Sequence, residues 1–218
     1  MKILVTGGAR SGKSSFAERY VAALGKGNQG IYVATAQAYD DEMRERLELH
    51  RAQRLRSGFV WDTVEEPYRL ADTLDKLSGR GGHQVVLVDC LTLWLSNWLL
   101  RLEQEREGQR QPDSQVQVGV IQETTLGEPI KQLITSIARF EGTLLLVTNE
   151  VGDGIVPEYA LGRTFRDWAG MLNQRVATEC DEVFLVTAGI PVELKKLAFR
   201  MEGVWPVTER SGESGSNL

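Results

Sequence analysis

The sequence predicts an α/β domain in which a mainly parallel sheet carries helices on both faces. Three observations predict it. Lys2–Thr6, Gly30–Ala36, Gln84–Cys90 and Gly142–Glu150 are short β-rich apolar runs. Stretches with apolar residues at helical spacing separate them. Glycine-rich or polar breaks mark the joints, and no internal repeat is evident. Strands that alternate with helices need crossover connections, and crossovers make parallel sheets.

The first strand runs into Gly7-Gly8-Ala9-Arg10-Ser11-Gly12-Lys13-Ser14, which fits the phosphate-binding pattern G-x-x-x-x-G-K-[ST]. Ser15 to Leu24 follows as a helix, so the motif has the strand–loop–helix context it requires. Glycines let successive backbone N–H groups turn inward toward phosphate oxygens, and the helix N-terminus adds its dipole. Lys13 is placed to reach the β- and γ-phosphates and Ser14 to hold Mg²⁺. A chance match somewhere in a chain of this composition has a probability of roughly one in a hundred. The expected fold is therefore P-loop NTPase-like, of the RecA type.

The remaining elements follow in order. Asp40-Asp41-Glu42 is an acidic helix start that suits the positive end of the helix dipole, and that helix is expected to reach about Arg54. Trp61 to Pro67 reads as a short strand and turn, with Pro67 opening or preceding a helix over 68–77. Ser78 to Gly82 is a break. Leu91 to Leu102 continues as a helix with Trp94 and Trp98 one turn apart. Glu103 to Thr125 is polar and poor in aromatics, and reads as an insertion, partly helical or mobile. Helices are expected over 130–140 and 161–178, and the last strand over 181–188. Pro191 begins a short basic segment with Lys195 and Lys196. Residues 1–200 read as one domain, and the polar tail over 201–218 is expected to be disordered at its end.

Composition narrows the function. The 218 residues carry a net charge of −5 and show no basic stripe, which argues against a nucleic-acid binder. Cys90 and Cys180 form neither a disulfide framework nor a zinc pattern and fit a reducing cytosol as small buried hydrophobes. The most apolar long stretch, Val85 to Leu100, contains Asp89, Ser96 and Asn97 and is no membrane span.

Ligands of such sheets sit at the carboxyl ends of the strands. That rule gathers Gly7–Ser14, Thr35–Gln37, Asp89 and Asn149–Glu150. Asp89 ends a Val/Leu run where P-loop enzymes keep a Mg²⁺-associated carboxylate, although Asp is also a good helix N-cap. His50 falls on one helical face with Met43 and Leu47, a pattern more often structural. A neutral imidazole is nevertheless a good nucleophile toward phosphorus. On pattern alone, Glu65 favours a solvated turn and Lys195 and Lys196 a basic surface. Arg163 and Arg166 either face an anion or pair with acids near Glu158.

Several segments together resemble one family. They are Gly7–Ser14 with its Gly-Gly-Ala-Arg start, Ala34-Thr35-Ala36-Gln37, Asp40–Met43 with His50-Arg51, and Trp61–Glu65. The Thr148–Glu158 loop, Phe165–Gln174 and Asp181–Val183 complete the set. The family is the bifunctional adenosylcobinamide kinase / adenosylcobinamide-phosphate guanylyltransferase family of cobalamin biosynthesis, and the resemblance covers about residues 1–198. It implies that a γ-phosphoryl of ATP or GTP passes to the aminopropanol hydroxyl of adenosylcobinamide. GTP then gives GMP to the resulting phosphate, through a histidine that corresponds here to His50. It further implies guanine-nucleotide contacts from Thr35, Ala36 and Gln37, from His50, Arg51, Ala52 and Gln53, and from Glu65. The implied roles give catalysis to Lys13 and His50 and Mg²⁺ to Ser14 and Asp89, in a cytoplasmic homotrimer. Without the resemblance, a simple P-loop kinase or a nucleotide-sensing module remains open, because fold alone does not separate them.

Overall fold

The computed structural model describes residues 1–24, 29–37, 58–79, 85–108 and 123–199, together with Asp41, Arg44, Glu45, Glu48 and Ala52. In chain order the elements are β1 (Lys2–Thr6), α1 (Lys13–Leu24), β2 (Gln29–Ala34), β3 (Val60–Glu65), α2 (Leu70–Leu77), β4 (Val85–Asp89) and α3 (Leu91–Gly108). They continue with α4 (Glu123–Arg139), β5 (Thr143–Val147), α5 (Ala160–Glu179), β6 (Glu182–Thr187), β7 (Ile190–Glu193) and α6 (Leu194–Leu197). One seven-stranded sheet takes the order β3-β2-β4-β5-β1-β6-β7, parallel except for the β6–β7 hairpin.

The pleat sorts the core into two layers. Ile3 and Val5 of β1, Leu87 of β4 and Leu145 and Val147 of β5 pack against Ala17 and Val21 of α1. Leu4, Val86, Val88, Leu144 and Leu146 face the other way, onto Leu74 of α2, Trp94 and Leu95 of α3, Ile130 and Leu133 of α4 and Leu172 of α5. Successive strand residues point to opposite faces, so an unbroken Val/Leu run is what a strand covered on both sides needs. Burying one such side chain contributes about 1.5–3 kcal/mol.

Several boundaries differ from those expected, each for a local reason. The Glu66 carboxylate accepts the N–H groups of Tyr68 and Arg69, so the chain is capped ahead of α2 and the helix starts at Leu70 rather than at 68. α3 runs on to Gly108, into the segment read as an insertion, with Arg101–Glu105 and Arg106–Glu103 pairs along its outer face. α4 begins at Glu123, with Pro129 inside it, rather than at 130. Residues 109–122, 201–218 and Gln84 lie outside the described residues.

β6 is not the last strand. Ala188 (φ 52°) and Gly189 (φ 79°) form a tight turn, and β7 returns antiparallel through Pro191, which was expected to begin a basic segment. Two consecutive positive φ angles are the requirement of a two-residue hairpin turn. Lys195 is half-buried and its ammonium donates to the Cys180 carbonyl, so it is no solvated surface residue. The Glu193 carboxylate accepts the backbone N–H groups of Val183, Lys195 and Lys196. Burial would raise its pKa, but those donors and the Lys196 charge outweigh it and hold the group low.

Candidate active site

Strand register gathers the site. Glu65, Ala34, Asp89, Val147 and Val5 lie in one row across β3, β2, β4, β5 and β1, at the carboxyl edge of the sheet. At the usual strand spacing, Asp89 stands about 10 Å from Val5 and Glu65 about 19 Å. Asp89 is therefore within reach of a group held by the loop after β1. Glu65, exposed at the end of edge strand β3, is too far away to share the phosphates at Lys13.

The P-loop is braced from behind. Gly7 is buried against β6: a Cβ there would lie 2.4 Å from the Val186 carbonyl oxygen and 2.8 Å from Ser11 Oγ. Gly12 has φ +92°, and a Cβ on it would meet Gly189 Cα at 3.2 Å. The Gly189 N–H donates to the Ser11 carbonyl at 2.8 Å, so the β6–β7 turn sits directly on the loop. Arg10 adopts φ 58°, which lets the loop close without a glycine at that position. Gly8, Ala9 and Arg10 are exposed, whereas Ser11, Gly12, Lys13 and Ser14 are half-buried. The Lys13 ammonium donates to the Gly8 carbonyl at 3.2 Å, folded over the loop it serves.

Asp89 is half-buried at the end of β4. The buried Tyr32 hydroxyl donates to its Oδ2 at 2.9 Å. An ionised carboxylate has about four lone-pair sites, so this phenol leaves the group able to take a cation. Ser14 and Asp89 together are hard oxygen donors. No group of three or more His, Cys, Asp or Glu that could hold a metal occurs among the described residues. Mg²⁺ suits that arrangement, because it is commonly held by one or two carboxylates plus substrate phosphates rather than by a protein cage.

Thr35 is fully buried. Its hydroxyl donates to the Cys90 carbonyl at 2.6 Å and accepts from the Cys90 N–H at 2.8 Å. Its carbonyl accepts from Asn97 Nδ2 at 2.8 Å. Thr35 thus ties the end of β2 to the start of α3, beside the cis peptide that joins Asp89 to Cys90. Ala36 and Gln37 are half-buried, and the Tyr68 hydroxyl donates to Gln37 Oε1 at 3.1 Å. Ala52 is helical and exposed, whereas His50, Arg51 and Gln53 lie outside the described residues.

Sequence reasoning gathered Asn149 and Glu150 at this edge but missed the polar network that holds them. Thr92 and Thr148 share a hydroxyl hydrogen bond of 3.2 Å, and Thr92 Oγ1 accepts the Asn149 N–H at 2.7 Å. Asn173 on α5 accepts from Thr148 and donates to the Asn149 carbonyl. The Thr148 N–H donates to the Val5 carbonyl and the Glu150 N–H to the Gly7 carbonyl, so the parallel ladder continues past β5 onto the P-loop. The signal was present: Thr148 and Asn149 follow a strand, and Asn173 is a polar residue between Leu172 and Val176 on a core-facing helix. Arg163, weighed as an anion contact or an acid partner, donates to the Pro157 and Glu158 carbonyls and shapes the loop after Glu150.

Comparison with known proteins agrees with this architecture. The assembled ATPase EscN from the enteropathogenic E. coli type III secretion system superposes with a TM-score of 0.50 at 12% identity, over 86% of this chain and 43% of that one. That likeness is one of fold. The bifunctional adenosylcobalamin biosynthesis protein CobU of Escherichia coli K12 is 42% identical over 195 residues, covering 89% of this chain and 100% of that protein. The corresponding CobP of Pseudomonas aeruginosa is 40% identical over 200 residues, covering 89% of this chain and 98% of that protein. The family model described as cobinamide kinase / cobinamide phosphate guanyltransferase matches residues 3–194, a span that contains the P-loop, Asp89, the network after β5 and the β6–β7 brace. The chain belongs to the cobinamide kinase / cobinamide phosphate guanyltransferase family.

Proposed function

We propose that this protein is a bifunctional enzyme of cobalamin biosynthesis. It phosphorylates adenosylcobinamide with ATP or GTP. It then transfers GMP from GTP to adenosylcobinamide phosphate, giving adenosylcobinamide-GDP and pyrophosphate. The observation that carries this reading is the P-loop in its full setting within a chain that matches the family from residue 3 to residue 194.

The residues support the two steps as follows. Lys13 and the backbone N–H groups of Gly8 to Ser14 hold the triphosphate and offset charge that develops on it. Ser14 and Asp89 would hold Mg²⁺, which would offset the negative charge of the triphosphate. Tyr32 keeps the Asp89 carboxylate oriented. His50 attacks the α-phosphorus of GTP, pyrophosphate leaves, and a phosphate oxygen of the second substrate displaces the histidine from phosphorus. Ala36, Gln37, His50–Gln53 and Glu65 are the guanine-nucleotide contacts, Glu65 toward a part of the nucleotide distant from the P-loop phosphates, while buried Thr35 holds the end of β2 behind them rather than touching the ligand. A cytoplasmic homotrimer completes the proposal. No helix among the described residues is long and apolar enough to cross a membrane.

The test is product analysis by mass spectrometry. Adenosylcobinamide with ATP, GTP and Mg²⁺ should give the phosphate and then the GDP derivative. Nucleotide hydrolysis with neither product would refute the reading.

A further inference from the structure

We propose that Glu150 is the general base of the phosphoryl-transfer step, an inference that rests on the activity proposed above. The two reactions differ in one chemical requirement. The kinase step must take a proton from an alcohol. Guanylyl transfer uses the unprotonated nitrogen of a neutral imidazole and then an anionic phosphate oxygen, and neither attacking atom carries a proton. A kinase base is thus needed, and in that step Lys13, Ser14 and Asp89 are engaged with the triphosphate and its cation.

The topology puts a carboxylate-bearing residue beside the phosphate loop. β5 lies between β1, which feeds the P-loop, and β4, which ends in Asp89. Residues just beyond β5 therefore stand between the phosphate cradle and the cation-binding carboxylate. Of Thr148, Asn149 and Glu150, which follow β5, Glu150 is the one with a carboxylate. Its N–H donates to the Gly7 carbonyl at 3.0 Å, so its backbone is fixed to the first glycine of the P-loop. Its side chain is half-buried and held: Oε1 accepts the Gly152 N–H at 3.0 Å. Oε2 makes no hydrogen bond among the described residues. The Thr92–Thr148–Asn149–Asn173 network fixes the preceding backbone on α3 and α5, which is the preorganisation a base requires.

In the step, the hydroxyl oxygen bonds to the γ-phosphorus as its proton passes to Glu150. The bond from the γ-phosphorus to the bridging oxygen breaks, and its electron pair leaves with the nucleoside diphosphate. Glu150 returns the proton to solvent once the product has gone.

The experiment measures two rates on the same preparation of full-length protein. One is formation of adenosylcobinamide phosphate. The other is labelling of the protein by GTP carrying ³²P at the α-position. Glu150→Gln should lower the ratio of the first rate to the second by about 10²-fold or more, and Glu150→Asp should restore part of it. An unchanged ratio, whether both rates persist or both fall together, overturns the proposal. A wild-type chain that labels but forms no adenosylcobinamide phosphate overturns the kinase activity itself, and Glu150's role with it.

Discussion

Gly7→Ala should damage the protein from the back of the phosphate site rather than from its front. The added Cβ would lie 2.4 Å from the Val186 carbonyl oxygen, whereas real Cβ contacts stay at or above 3.0 Å, so 3.0 − 2.4 leaves at least 0.6 Å to be found. Ser11 Oγ, 2.8 Å from the same position, can rotate away, but Val186 is fully buried and paired with β7 through Pro191. The displacement must therefore come from the P-loop, whose Gly7 carbonyl is also bonded to the Glu150 N–H. Overpacking of this kind costs about 1–3 kcal/mol. For a chain of this size each kcal/mol lowers Tm by about 2–4 °C, so the expected fall is about 2–12 °C. The rise in Tm on adding GTP should also shrink, since it reports affinity. Gly8→Ala is the control: a Cβ there meets nothing within 4 Å, and stability should stay within about 0.5 kcal/mol of wild type. Thermal unfolding with and without GTP measures all of this. A Gly7→Ala protein with wild-type Tm and an undiminished GTP shift would refute the packing account.

Tyr32→Phe removes the 2.9 Å hydrogen bond to Asp89 without opening space, so it should cost about 1–2 kcal/mol of stability and raise the Mg²⁺ concentration needed for GTP binding; titration calorimetry at several Mg²⁺ levels checks this, and an unchanged requirement argues against orientation of Asp89 by Tyr32. Both thiols should resist a disulfide reagent in the native protein at pH 8 and react in urea, because burial pushes Cys90 and Cys180 up to about 12. Their folded pKa values exceed the unfolded value, so the stability linked to them is complete at neutral pH and is lost as pH rises from about 8.5 toward 12. Fast native reaction at pH 8 would contradict this.

The sheet core was legible because length, composition and flanking breaks agree: a short run such as Leu144–Val147, with Gly142 before it and polar residues after it, reads as a strand covered on both faces. The phosphate loop was legible because backbone geometry dictates glycine, and side-chain chemistry dictates Lys13 and Ser14. Non-local effects were hidden. Thr35 reads as a polar residue at a ligand edge, yet its hydroxyl is satisfied by Cys90, 55 positions away. The brace behind Gly7 depends on β6, whose carbonyl no local pattern announces. The β6–β7 turn was within reach, since Ala188-Gly189 between two β-rich runs is a hairpin pattern, but Ala is an unusual residue at a positive φ. α4 reads as starting after Pro129 because Pro opens helices more often than it sits inside them. Lys195 reads as solvated because its partner is a backbone carbonyl on another element.

The most direct test of the account is covalent capture of the nucleotide. Protein incubated with Mg²⁺ and GTP labelled at the α-phosphorus, then denatured, should retain the label. The linkage should be labile to acid and stable to base, and His50→Ala should abolish it. Protein that binds GTP yet carries no label, or a His50→Ala variant that labels like wild type, would contradict the histidine-linked transfer.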